Sequence, residues 1–190
     1  MSWLADRERL ASLARAIDPS VRLQSKDGRH WRALAALASA ATLGRLSRKS
    51  FLEKYATTLG PLHGYPTGWS AERVERTLVH EARHTRQARW CGLGLHPWLG
   101  MPLFAALYLA IPLPFGLGLA RVLFELDADR ALWRHALGQG ASPDAIRARA
   151  REFAGRVCSA DYAWPLPRRL GVALFAAAAE RAIVAHEAAA

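Results

Sequence analysis

Apolar residues recur at helical spacing through most of this chain and follow a strand-like pattern in only one stretch. Trp3, Leu4, Leu10, Leu13, Ala14 and Ile17 lie on one helical stripe, which predicts an amphipathic first helix ending near Asp18-Pro19. Val21 to Arg29 is polar and reads as a turn, and Trp31 to Leu43, nearly all Ala and Leu, predicts a second helix. The stretch Phe51–Tyr65 differs. Tyr55, Thr57, Thr58 and Leu59 favour extended backbone, Gly60-Pro61 marks a turn, and Leu62–Tyr65 returns as a second short strand. Pro66-Thr67-Gly68 then breaks the chain before Ser70, an N-cap with Glu72 in the first turn behind it. The helix so opened runs from about Ala71 to Trp90, packs through Val74, Leu78, Val79 and Ala82, and ends at Gly92-Leu93-Gly94.

From Pro97 to Ala120 no residue is charged. A membrane-spanning helix needs about 20 apolar residues, and this run is long enough. Pro102, Pro112, Pro114, Gly116 and Gly118 interrupt it, however, and Ile111-Pro112-Leu113-Pro114 predicts a bend between two arms, each too short to span. A buried helical hairpin ranks first, an interfacial or re-entrant hairpin second, and one kinked spanning helix third. A helix over about Leu117–Leu137 follows, ending at Gly138 and Gly140. Ser142-Pro143-Asp144 opens another that reaches about Val157, Ser159–Arg169 is a loop, and Leu170–His186 is a last helix. The expected fold is mainly α, α+β with at most a small hairpin, as one domain over 1–190. It comprises an N-terminal helical segment (1–45), a core (51–137) that includes the apolar hairpin (97–120), and C-terminal helices (142–188).

Composition narrows the picture only slightly. A chain of 190 residues can bury a sizeable core without covalent staples. Two cysteines, Cys91 and Cys158, make neither a disulfide framework nor a CxxC site, which suits a reducing compartment. Cys91 follows the second motif histidine by seven residues and is read as a structural thiol rather than a ligand. Lys and Arg number 26 against 16 Asp and Glu. The surplus favours anionic partners, yet it is scattered along helices and accompanies no nucleic-acid-binding motif, so nucleic acid is not an expected partner. The N-terminal twenty residues have no apolar run of signal-peptide length. The expectation is a cytoplasmic location, with peripheral or re-entrant membrane contact through 97–120 kept open.

The chemistry concentrates in His80-Glu81-Ala82-Arg83-His84, an HExxH pentapeptide inside the predicted Ala71–Trp90 helix. Residues four apart lie one turn above each other, so both imidazoles project toward one point, and Glu81 beside them is placed to take a proton from an attacking water. The bland alternative is a solvated helix face that happens to carry two histidines. Zinc sites of this kind require a third protein ligand and leave one position for water. In Phe124-Glu125-Leu126-Asp127-Ala128-Asp129-Arg130, the carboxylates Glu125 and Asp129 share a helix face. Glu125 serves as the third ligand, and Asp129, one turn later, accepts the outer N–H of a ligating histidine. Two histidines and a carboxylate also suit other divalent metals. A di-iron bundle would need a second ExxH, and Glu125 is followed three positions later by Ala128. His30, His96 and His135 lack a partner at ligand spacing and read as surface or satisfied core residues, and His186 reads as exposed near the C-terminus.

HEARH followed about forty residues later by ELDAD resembles the gluzincin metallopeptidases, whose third ligand is a glutamate in an ExxxD pattern. The ELDADR string is especially similar to the CAAX-prenyl protease and heat-shock peptidase branch. The TTLG…YP frame, Gln87, the IPLP bend and DYAWPLP look like small bacterial HExxH proteins; the likeness covers roughly residues 51–170. The resemblance implies a zinc ion held by His80, His84 and Glu125, Glu81 as general base, and hydrolysis of a peptide or protein substrate. The chain departs from the family in lacking a complete peptidase sheet, so only the Phe51–Tyr65 hairpin is available as a substrate-binding edge. Tyr162 is the preferred donor to the oxyanion of the tetrahedral intermediate, with Tyr65, His63 and Tyr108 as alternatives. The competing reading is a non-catalytic metal-binding protein of the membrane surface.

Overall fold

Serine side chains start three of the helices. In a computed structural model describing residues 3–41, 44, 47–110, 119–158 and 167–189, Ser47, Ser70 and Ser142 each accept a hydrogen bond from the backbone N–H three residues on. Those bonds satisfy donors that a helix start leaves orphaned. The helices are α1 (Arg7–Ile17), α2 (Arg29–Ala41), α3 (Arg48–Glu53), α4 (Ala71–Cys91), α5 (Pro97–Ala105), α6 (Leu119–Gly138), α7 (Pro143–Val157) and α8 (Arg168–Glu187). A 3-10 turn, Trp3–Asp6, precedes α1, and a π-helical turn, Ala106–Ala110, extends α5. Helix makes up 74% of the structure, so the architecture is mainly α, as the periodicity predicts.

Three short strands accompany the helices: β1 (Arg22–Ser25), β2 (Thr57–Leu59) and β3 (Leu62–Tyr65). The expected hairpin is β2–β3, antiparallel with Thr58 opposite His63, and Gly60 takes φ +57° in its turn. Two elements differ from expectation. Arg22–Ser25, read as a polar turn, is a strand pairing in parallel with β3, so β3 is central and β2 and β1 are the edges. Only Val21 and Leu23 are buried there, too short an alternation to register locally; the strand exists because β3 lies beside it. Arg48–Glu53, partly assigned to the hairpin, is instead a short helix that Ser47 caps and whose Phe51 is buried.

The chain forms two compact units, 1–102 and 103–190. In the first, Leu10 and Ala14 of α1, Val21, Leu23 and Tyr65 of the sheet region, and Val74, Leu78 and Ala82 of α4 share a core with Trp3 and Trp69. The packing stripe foreseen for α4 is the one that is buried. Beside it, Trp31, Ala35 and Phe51 form a smaller cluster. Lys26, 3% exposed, is the costly member of this unit. Its ammonium donates to Phe51 O (2.7 Å), Tyr55 O (3.0 Å) and Thr57 Oγ1 (2.5 Å), and sits 4.0 Å from the Phe51 ring centroid. Burial lowers its pKa to about 8, which the charge of Glu81 opposes. Asp18, at the C-terminal cap of α1, accepts from Arg89 of α4 at 2.9 and 3.0 Å and so ties the end of one helix to the other.

In the second unit α6, α7 and α8 enclose a core of Val122, Leu126, Trp133 and Leu137 with Ile146, Val157, Phe175 and Ile183. The apolar run over 97–120 is helical through residue 110, while its Ile111–Pro114 bend lies outside the described residues. No helix among the described residues is long and apolar enough to cross a membrane.

Gly92 and Gly100 let the C-terminal end of α4 meet α5 backbone to backbone. A Cβ on Gly100 would lie 1.8 Å from Ala88 O and 2.4 Å from Gly92 N, whereas one on Gly138 would meet nothing within 4 Å. Gly100→Ala should therefore destabilise the protein by about 3 kcal/mol or more, and Gly138→Ala should be neutral or stabilising by up to about 1 kcal/mol. Chemical denaturation of the two variants checks this contrast.

Candidate metal centre

Helix α4 places His80, Glu81 and His84 by its pitch, and the sheet fixes which way they face. His63 on β3 is fully buried, with Nε2 2.8 Å from Thr85 Oγ1, and Thr85 donates its one proton to Gly60 O at 2.8 Å. His63 must therefore donate through Nε2–H. Burial, and then the neighbouring His84, push its pKa down to about 3, so it is a neutral structural imidazole. This chain of bonds locks one face of α4 onto the hairpin turn and leaves the motif residues on another.

His80 and His84 converge as the spacing predicts. Their Nε2 atoms are 3.1 Å apart and their rings stand at 84°. A tetrahedral zinc site with bonds of 2.0–2.1 Å has ligand atoms separated by about 3.3 Å, so the pair is already near chelating separation. Gln87 sets the tautomer: His84 Nδ1 lies 2.8 Å from Gln87 Oε1, which only accepts. The proton is thus on Nδ1, and Nε2 presents a lone pair. Gln87, at 1% exposure, belongs to the interior. An amide on the buried stripe three residues after His84 is a signal that sequence alone contains, though nothing there tells an orienting partner from packing.

Glu81 is held from the hairpin. Thr58 Oγ1 on β2 lies 2.5 Å from Glu81 Oε2 and 3.3 Å from the Glu81 carbonyl oxygen. No local pattern announces Thr58, because the contact depends on the register of β2 against α4.

On α6, Glu125 and Asp129 are both buried, at 6% and 3% exposure, one turn apart as expected. The Tyr108 hydroxyl, carried on the π-helical turn, donates a short hydrogen bond to Glu125 Oε1. Tyr108, weighed above as an oxyanion donor, is here a partner of the proposed third ligand. His80, His84 and Glu125 together form a group that could hold a metal ion, with one ligand atom from each lying within 4.8 Å of the others. The donor set, two imidazoles and one carboxylate, fits zinc and other divalent metals alike.

The remaining candidates fall elsewhere. Tyr65 lies in the first unit's core between Trp3 and Trp69, where burial raises its hydroxyl pKa. Tyr162 lies outside the described residues. Cys91 is half-buried, its thiol pKa raised by burial, and is not in the metal-competent group. His30 bonds Gln24, and exposed His96 accepts from the Trp98 backbone N–H.

Gln87→Leu should weaken divalent-metal binding by about 10- to 100-fold without unfolding the chain, while Gln87→Glu, which keeps an acceptor for Nδ1–H, should largely preserve it. Chelator competition on the purified variants measures both. Comparison of the chain with protein-family models, with curated proteins and with solved structures finds no match in any of the three.

Proposed function

We propose that this protein is a zinc-dependent metallopeptidase of gluzincin type, with His80, His84 and Glu125 as ligands and Glu81 as general base. The observation that carries the reading is the gathering of those three side chains, two imidazoles and a carboxylate, beside a glutamate that is not one of them. Bound zinc would supply Lewis acidity, lowering the pKa of water toward about 7 and polarising a carbonyl oxygen.

The chain's own residues supply the rest. Glu81, with Oε2 engaged by Thr58, offers its other carboxylate oxygen to a water proton and returns that proton to the leaving amine. A carboxylate held by a hydroxyl on a strand needs little reorganisation during proton transfer. Gln87 keeps the His84 lone pair on Nε2, and Tyr108 fixes the rotamer of Glu125. The edge strand β2 is the place for an extended peptide to add by main-chain hydrogen bonding, which would set its scissile bond near Glu81. Tyr162 remains the proposed oxyanion donor.

Purified full-length protein should retain about one zinc per chain and cleave members of a mixed peptide library. Glu81→Gln should keep the metal and lose about 100-fold or more of the hydrolysis rate, whereas His84→Ala should lose the metal itself. Folded wild-type protein that retains no zinc after loading would overturn the metal assignment. A zinc-loaded protein that cleaves no peptide would overturn the peptidase assignment and leave a metal-binding protein.

A further inference from the structure

The corner joining α4 to α5 carries an apolar surface that the metal centre does not use. Trp90, Leu93, Leu95, Trp98 and Leu99 are 53%, 91%, 67%, 42% and 64% exposed. Large apolar side chains scattered singly over a surface need no explanation, but five within ten residues mark a contact site.

The backbone shows that this exposure is built. Leu93 has φ +57° and is the one non-glycine among the described residues in the left-handed region. Glycine would sit there without the clash a leucine Cβ brings, and asparagine would offset it through local hydrogen bonds of its short polar side chain. The leucine gains no packing in return, since it is the most exposed of the large apolar side chains. A residue that carries both backbone strain and apolar exposure points to function rather than folding. The turn is also rigid. Gly94 N donates to Arg89 O at 2.9 Å, Leu95 N to Gly92 O at 3.1 Å, and Arg89 Nη1 to Leu95 O at 2.7 Å. Backbone contact between Gly92 and Gly100 closes its base. Leu93 and Leu95 are therefore held outward.

Charge identifies the partner. Arg83, Arg86 and Trp90 fall on one stripe of α4 leading to the corner, and the Arg83 guanidinium stacks 4.5 Å from the Trp90 ring centroid. No acidic residue occurs between Glu81 and Glu125, and residues 1–102 contain sixteen Lys and Arg against eight Asp and Glu. Protruding leucines and tryptophans backed by arginines match the boundary between headgroups and acyl chains of an anionic bilayer. A second copy of the chain would bring the same arginines into opposition, which disfavours self-association through this face.

We propose that the Trp90–Leu99 corner is a membrane anchor that seats the protein on anionic lipid surfaces, with Leu93 and Leu95 entering the acyl boundary and Arg86 pairing with headgroup phosphates. This places the membrane contact N-terminal to most of the 97–120 run and needs no spanning helix, and it stands whether or not the metal centre is catalytic.

Vesicle flotation with the full-length protein tests the anchor, using phosphatidylcholine vesicles with and without phosphatidylserine. Wild-type protein should float with the anionic vesicles and far less with the neutral ones. Leu93→Ser combined with Leu95→Ser should reduce partitioning at least about tenfold while leaving the melting transition and bound metal unchanged, because both side chains are exposed. Arg86→Gln should erase much of the preference for phosphatidylserine. Undiminished flotation of the double variant would overturn the proposal, as would wild-type protein that stays off both vesicles. If that unbound protein were also dimeric by light scattering, the occupant of the corner would be a second copy.

Discussion

Two imidazoles one turn apart can share a metal ion only if their helix cannot rotate about its own axis. Here that constraint comes from inside the protein, where His63, Thr85 and Gly60 form a buried hydrogen-bond chain between β3, α4 and the hairpin turn. Breaking a buried bond and stranding its partner costs about 1–3 kcal/mol, so a small roll of α4 would be opposed by two such losses at once. The orientation of His80, the exposure of Glu81 to Thr58, and the alignment of His84 with Gln87 all follow from that lock. Arg89 pairing with Asp18 adds a second restraint near the helix C-terminus, where the turn toward α5 begins.

The site is built on two kinds of support. The candidate ligand atoms are oriented by neighbours that fix proton positions: Gln87 for His84 and Tyr108 for Glu125. The carboxylate beside the ligands is oriented by a strand hydroxyl, Thr58, whose strand is in turn pinned by the buried ammonium of Lys26 on Thr57. A buried lysine is expensive unless its protons are satisfied, and three acceptors satisfy this one. The polar groups of the interior thus serve position more than adhesion, and the apolar cores of the two units supply the cohesion.

How far the sequence foretells this depends on whether an interaction is local. HExxH convergence, the Ser70 cap, the packing stripe of α4 and the β2–β3 hairpin are set by residues a few positions apart, and each forms as its spacing predicts. The Glu125/Asp129 pair was legible for a related reason: the four-residue spacing places both carboxylates on one face of α6, and burying them there is costly unless they are satisfied. β1 was not legible, because four residues become a strand only when β3 lies beside them. Thr58 escapes notice for the same cause, since its bond to Glu81 depends on the register of β2 against α4, and the Tyr108 bond to Glu125 joins residues seventeen positions apart. The exposed leucine corner is a subtler case. Gly-Leu-Gly reads as a helix stop, and only the backbone shows that the leucine itself carries the left-handed conformation.

The proposed zinc site is defined by the atoms that would bind the metal, and X-ray absorption at the zinc edge reads those atoms directly. Protein loaded with one equivalent of zinc should show a first shell of nitrogen and oxygen at about 2.0–2.2 Å with the multiple scattering of two imidazoles, changed by Glu125→Gln and lost with His80→Ala. A sulfur shell at about 2.3 Å, which would place Cys91 or Cys158 on the metal, or a spectrum indifferent to both substitutions, would contradict the proposed site.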